Sequence, residues 1–141
     1  MMLNLQPVQE QDILEVELNY VMTPEARVAF TKNRDIRGFA LWQGPHIVAI
    51  GGVHLMWHGV AEGWFLMGSR GYDTPLLVAR YSKRGLDAII TDNKIRRVQA
   101  SVSVVDDVAV RFAEWMGFDE EGVMRAYGLD GSDYYRYARV S

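Results

Sequence analysis

The string Ala61-Glu62-Gly63-Trp64-Phe65 carries a carboxylate that could do chemistry. In an extended chain Glu62, Trp64 and Leu66 share one face, and Ala61, Gly63, Phe65 and Met67 share the other. A carboxylate shielded by Trp64 and Leu66 could take a proton, directly or through water. The plainer alternative is an outward-facing strand carboxylate. The chain continues as Met67-Gly68-Ser69-Arg70-Gly71-Tyr72-Asp73-Thr74-Pro75. Gly68, Ser69, Arg70 and Gly71 could offer amides and one cation to phosphate oxygens. A helix opening at Thr74-Pro75 would add its positive end. Asp73 would repel a diphosphate, and Pro75 removes a donor from the first helical turn. A surface turn before a capped helix is therefore the alternative for this segment.

The remaining inventory narrows the chemistry. There is no cysteine among the 141 residues, which excludes disulfides, thiolate nucleophiles and cysteine-based zinc sites. His54 and His58 straddle the start of a His58-Gly59 turn without a third ligand nearby, so no metal site is expected. The serines lack the His/Asp partner pattern of a hydrolase. A net charge of −3 argues against nucleic acid or an anionic membrane as partner. No window approaches the ~18 consecutive apolar residues of a membrane span. The start, MMLNLQPVQEQD, lacks the basic and apolar regions of a secretory signal. A cytoplasmic protein is the expectation. Trp42, Trp57, Trp64 and Trp115 read as packing residues rather than a stacking platform. Arg80, Lys83 and Arg84 share a helix face that either reaches phosphates or, the favoured reading, is solvated with Asp87 paired to Lys83.

These residues need elements to position them. Apolar positions at Val105, Val108, Ala109, Phe112, Ala113 and Met116 mark a one-faced helix. Asp106 or Asp107 caps its start and Gly117 stops it. Upstream, the pattern predicts a strand over Met2–Gln6, a helix over Gln9–Leu18 and a second helix from Thr23-Pro24-Glu25 to about Phe30 or Thr31. Strands follow at Gly38–Gln43, His46–Met56 and Ala61–Met67. The Gly51-Gly52 pair marks a bulge or a close backbone approach. A long helix runs from Thr74 to Thr91, then a strand over Arg97–Val102. Hairpin arms at Asp119–Tyr127 and Asp133–Val140 turn around Asp130-Gly131. No repeat or linker divides the chain, so residues 1–141 are read as one domain. The order β-α-α-β-β-β-α-β-α-β-β implies an α/β (α+β) domain with a mixed, mostly antiparallel sheet flanked by helices.

The segment Val105–Arg125, a helix ending in Gly117-Phe118 and followed by a strand beginning Asp119-Glu120-Glu121-Gly122, resembles the last helix and following strand of the GNAT superfamily of N-acetyltransferases. The order of elements is that of the family too. The resemblance implies acetyl-CoA as cosubstrate and an amine of a small molecule or protein as acceptor. It implies Glu62 as general base. It places the coenzyme A phosphates at Met67, Gly68, Ser69, Arg70, Gly71 and Thr74, with the rest of the coenzyme between strands Ala61–Met67 and Arg97–Val102. The acceptor pocket falls in the region Leu18–Arg37. The tyrosine that many members use as general acid corresponds to Ala113, and losing one general acid costs ~10²–10⁴ in rate. The string Val110–Gly117 is also similar to short family members from tailed bacteriophages. That likeness implies an alternative: a catalytically inactive protein that binds other proteins, in the host cytoplasm or the virion, through Trp57, Trp115, Tyr134 and Tyr135. A homodimer is a further expectation.

Overall fold

The computed structural model describes residues 3–18 and 35–141. The helix expected from Thr23 lies outside these residues. The described elements are β1 (Asn4–Pro7), α1 (Glu10–Glu15), β2 (Ile36–Gln43), β3 (His46–Trp57), β4 (Val60–Met67), a 3₁₀ turn (Ser69–Asp73), α2 (Pro75–Asp92), β5 (Arg97–Ser103), α3 (Asp107–Trp115), β6 (Asp119–Met124) and β7 (Tyr134–Val140). The seven strands form one sheet in the order β1-β2-β3-β4-β5-β7-β6. Every neighbouring pair is antiparallel except β4 and β5, which run parallel. No helix among the described residues is long and apolar enough to cross a membrane.

Alternation along the strands decides which helix covers which face. Ile13 and Val16, at α1 and its C-cap, pack with Ala40, Ile50, Trp64 and Leu66. On the opposite face Val78 of α2 joins Phe39, Leu41, Phe65 and Met67. Leu86 of α2 and Ala113 of α3 pack with Ala61, Val98 and Tyr137. The two faces of β4 read from the sequence are therefore the two faces of the core.

Local chemistry sets the boundaries. α1 starts on a reciprocal cap in which the Gln9 amide donates to Asp12 Oδ2 at 2.8 Å. It ends at Glu15 rather than Leu18, because Val16 is extended (ψ 131°) and Leu18 instead bridges Gly68. Of the two expectations for Gly51-Gly52, close approach holds. Gly52 has φ +152° and a Cβ there would collide with the Arg37 carbonyl, whereas the register shifts of β3 lie at Leu41/Trp42 against β2 and at Leu55/Trp57 against β4. The Asp106 side chain accepts from the Ala109 amide at 3.0 Å and so caps α3, and Gly117 stops that helix at φ 95°. The last hairpin pairs over shorter arms than expected. Ala126 takes φ 56° and its amide donates to Asp133 Oδ1 at 2.9 Å, so the loop satisfies itself instead of the ladder.

Candidate functional site

The parallel seam between β4 and β5 closes over only Val60↔Arg97, Ala61↔Val98 and Glu62↔Gln99. Beyond Glu62 the strands part, and α2 and α3 roof the gap. A cavity of about 560 Å³ fills it. Gly63, Phe65 and Met67 of β4, Ala100 and Val102 of β5 and the apolar face of α3 make its wall. Phe65 and Phe112 close one side, their ring centroids 4.5 Å apart. Trp64, Tyr72 and Asp106 supply the polar side chains of the lining.

Glu62 sits at the point where the seam opens, half-buried as the sequence implied, but with a partner the sequence did not reveal. Arg136 Nη1 donates to its two carboxylate oxygens at 3.2 and 3.1 Å. Both side chains keep about a quarter of their surface, 24% and 23%. The same strip of sheet continues through Gln99, whose Oε1 accepts from Arg97 Nε at 3.1 Å. Arg97 then grips Glu121 with two bonds of 3.0 and 2.7 Å. That fork holds the Glu121 carboxyl below its ordinary range and raises Arg97, the hydrogen bond being the larger cause in each case. The strip crosses β4, β5, β7 and β6 because β7 inserts between β5 and β6.

The loop after β4 is folded tightly on β3. The Gly68 amide donates to Val48 O at 2.9 Å, the Ser69 amide to Glu17 O at 2.8 Å and the Gly71 amide to Gly68 O at 2.9 Å. A Cβ at Gly68 would lie 2.9 Å from Ile47 O, and one at Gly71 would collide with Val48 O and Met67 Sδ. Both glycines thus serve a close approach to β3. Arg70 is exposed, as are Tyr72 and Asp73, and Asp73 is not part of the cavity lining. Thr74 is the N-cap of α2 but makes no capping bond. Its Oγ1 is buried without a hydrogen-bond partner among the described residues. The first turn of α2 therefore begins without a side-chain cap at its positive end.

Ala113 lines the cavity, and Tyr72 is the tyrosine that shares that lining; Tyr81 lies over Arg84 instead, 5.1 Å from its guanidinium carbon. Asp87 pairs with Arg139 at 2.7 Å and not with Lys83, which stands 5.8 Å from the Trp115 ring centroid. The cross-fold guanidinium displaces the local helical pairing. Trp57 and Trp115 are exposed, at 60% and 54%. Tyr134 and Tyr135 are not: the first stacks on Tyr127 at 5.3 Å and the second on buried Tyr137 at 5.9 Å. Burial raises the Tyr137 hydroxyl above its usual value, so it is a packing tyrosine.

Sequence reasoning missed Arg136. Alternation along β7 puts it on one face with Tyr134 and Ala138, but nothing local says that this face meets Glu62. It also missed Asp106 as a rim residue, although its role as a cap was legible.

No protein-family model and no curated protein matches the sequence. Solved structures do match in shape. A chimera of the spermidine N-acetyltransferase SpeG from Vibrio cholerae and hSSAT superposes with TM-score 0.75 at 19% identity, covering 98% of this chain and 95% of that one. A putative phosphinothricin N-acetyltransferase superposes with TM-score 0.74 at 17% identity, covering 99% and 98%. The fold is that of the GNAT acetyltransferases, a mostly antiparallel sheet flanked by helices, as the order of elements implied.

Proposed function

We propose that this protein transfers an acyl group, acetyl in the simplest case, from a coenzyme A thioester to an amine. The observation that carries the reading is the opening of the β4–β5 seam directly after Glu62 onto an apolar cavity. Strands that stop pairing leave backbone donors and acceptors that an amide-bearing chain can satisfy. The uncapped N-terminus of α2 and the buried Thr74 hydroxyl suit the phosphate end. Arg70 supplies the charge there and Met67 an apolar wall. Gly68, Ser69 and Gly71 hold the turn in shape, their own amides being committed within the protein.

In this reading Glu62 takes a proton from the acceptor amine as its nitrogen attacks the thioester carbonyl. Arg136 holds Glu62 in place and yields part of that hold when a cationic acceptor arrives, since both compete for the same oxygens. Water protonates the departing thiolate, whose pKa is about 8.5, so transfer proceeds without a side-chain acid at Ala113, at the slower rate that the loss of that acid implies. The likeness in shape to acetyltransferases of spermidine and phosphinothricin supports transfer to an amine and leaves the acceptor open.

Isothermal titration with coenzyme A and acetyl-CoA tests the proposal. Micromolar binding, weakened about tenfold by Arg70→Ala, supports it; no heat at millimolar ligand overturns it. A second reading has its own observations. Ala113 has no proton to give, the loop amides are engaged, and Glu62 is tied to Arg136. These suit a GNAT-fold protein that binds a protein partner, using exposed Trp57 and Trp115. It predicts no coenzyme A binding and no effect of Glu62→Gln on partner capture.

A further inference from the structure

The ion pair at the end of the open seam engages only one edge of Arg136. Its Nη1 alone reaches both oxygens of Glu62, at 3.2 and 3.1 Å. A guanidinium carries donors on every nitrogen, and among the described residues Nη2 and Nε of Arg136 make no hydrogen bond. The cross-strand neighbours leave that side room. They are Ser101 on β5 and Gly122 on β6, both small, and a Cβ at Gly122 would meet nothing within 4 Å. The Ser101 hydroxyl donates to the Tyr127 hydroxyl at 3.4 Å and adds polar groups beside the opening. Glu62 and Arg136 lie on the sheet face opposite the wall that Gly63, Phe65 and Met67 give the cavity. On that face α1 packs over β2, β3 and β4, and Arg136 and Glu62 keep 24% and 23% of their side-chain surface. A donor held in the cavity and an acceptor on this face therefore meet at Glu62 from opposite sides of the sheet.

We infer that the acceptor is an α-amino acid: its ammonium meets Glu62 and its carboxylate takes the open edge of Arg136. The inference rests on the acyl-CoA reading above and names the acceptor's chemical class. An acceptor with cationic charge alone must part Glu62 from Arg136, and it leaves the guanidinium beside another cation without a counter-charge. A polyamine makes this worse, because Arg97 stands on the same strip at the end of Gln99. An amino acid carries both charges on one carbon. It replaces the contact it loosens, and a carboxylate matches the planar fork of a guanidinium. The transfer balances. The ammonium sheds one proton to solvent. Its nitrogen then forms a C–N bond to the thioester carbonyl carbon, the C–S bond breaks, and Glu62 takes the second proton and passes it to solvent. The thiolate takes a proton from water. The products are an N-acyl amino acid, free coenzyme A and one net proton; the acceptor's carboxylate is unchanged.

The test measures thiol release from acetyl-CoA by the full chain. The acceptors are the common L-α-amino acids, the same amino acids as their C-terminal amides, and spermidine. For the free acid used best, kcat/KM is expected to exceed that of its amide by about tenfold, with spermidine slower still. An amide or spermidine used as well as the free acids overturns the inference and leaves acyl transfer standing. Binding of coenzyme A with no transfer to any free acid also overturns the inference alone. If coenzyme A itself does not bind, the acyl-CoA reading falls and takes the inference with it. Arg136→Gln separates contact with the acceptor from support of Glu62. It should bring the acid-to-amide ratio close to one, chiefly through KM for the acid. Equal losses for acid and amide would mean that Arg136 only steadies Glu62, and would overturn the inference. If that variant does not fold, Arg136→Lys gives the same readout with a partial drop, and the acid-to-amide comparison on the parent needs no variant.

Discussion

On one side of β4, pairing with β3 continues from Trp57↔Val60 to Ala49↔Met67; on the other, pairing with β5 stops after Glu62↔Gln99. Both seams contain glycine at their critical points, with opposite results. In the closed seam a Cβ at Gly51 would lie 2.8 Å from the Phe39 ring and 2.9 Å from the Phe65 ring. There glycine lets the sheet and its aromatic cover come together. In the open seam a Cβ at Gly63 would meet Val98 Cγ1 at 3.1 Å, with backbone atoms farther away at 3.6 and 3.8 Å. There glycine keeps an aperture clear that one methyl group could narrow. The closed seam is an investment in stability and the open one in binding, and substitutions on the two sides should separate these effects.

The largest effect is expected at the end of the open seam. Glu62→Gln keeps shape and removes the base, so acyl transfer to an amine should fall by ~10²–10⁴-fold while coenzyme A titration still gives binding. A variant that transfers at the parent rate would remove Glu62 from the chemistry. Next comes Gly52→Ala in β3, whose strain lies against its other neighbour, β2. Its φ of +152° and the Arg37 carbonyl in the path of a Cβ leave no room to adjust, and a loss of about 3 kcal/mol is expected in urea unfolding. The matched change Gly63→Ala should cost under about 1 kcal/mol, because the Val98 methyl can move. It should nevertheless weaken coenzyme A binding by about tenfold, or about 1.4 kcal/mol. Equal stability losses at Gly52 and Gly63 would erase the distinction between the closely packed strands and the open seam.

Parts of this contrast were legible in the sequence and parts were not, for identifiable reasons. α3, its Asp106 cap and its Gly117 stop follow from periodicity and capping, which are local. The two faces of β4 follow from alternation. The Gly51-Gly52 pair announced a bulge or a close approach without deciding between them, and glycine does not name what approaches. The same holds for Gly68 and Gly71, whose spacing suggested a ligand's phosphates while their Cα atoms lie against Ile47 and Val48 of β3. The Glu62–Arg136 pair depends on β7 entering the sheet between β5 and β6, a non-local choice with no signature in either strand. Asp87 shows the same competition on a smaller scale: its neighbour Lys83 lost to Arg139, which arrives from the last strand.

The smallest expected effect concerns the far end of the ionic strip, where the open seam's polar row reaches the edge strand β6. Arg97 and Glu121 are 28% and 41% exposed, so solvent and salt weaken their attraction. The sign is nevertheless fixed. The fork from Arg97 lowers the Glu121 carboxyl in the folded protein. Its contribution to stability is therefore present above the ordinary carboxylate range and is lost as pH falls through the lowered value. Amide exchange of β6 should be slightly faster in Glu121→Gln than in the parent at neutral pH, with the gap closing as the pH falls through the lowered Glu121 value. The amides of β3 should show no such gap, because the closed seam is held by backbone pairing and apolar cover rather than by this carboxylate. A gap that persists in acid would mean that the substitution acts on β6 through packing, and the strip would then have no electrostatic part in holding the edge.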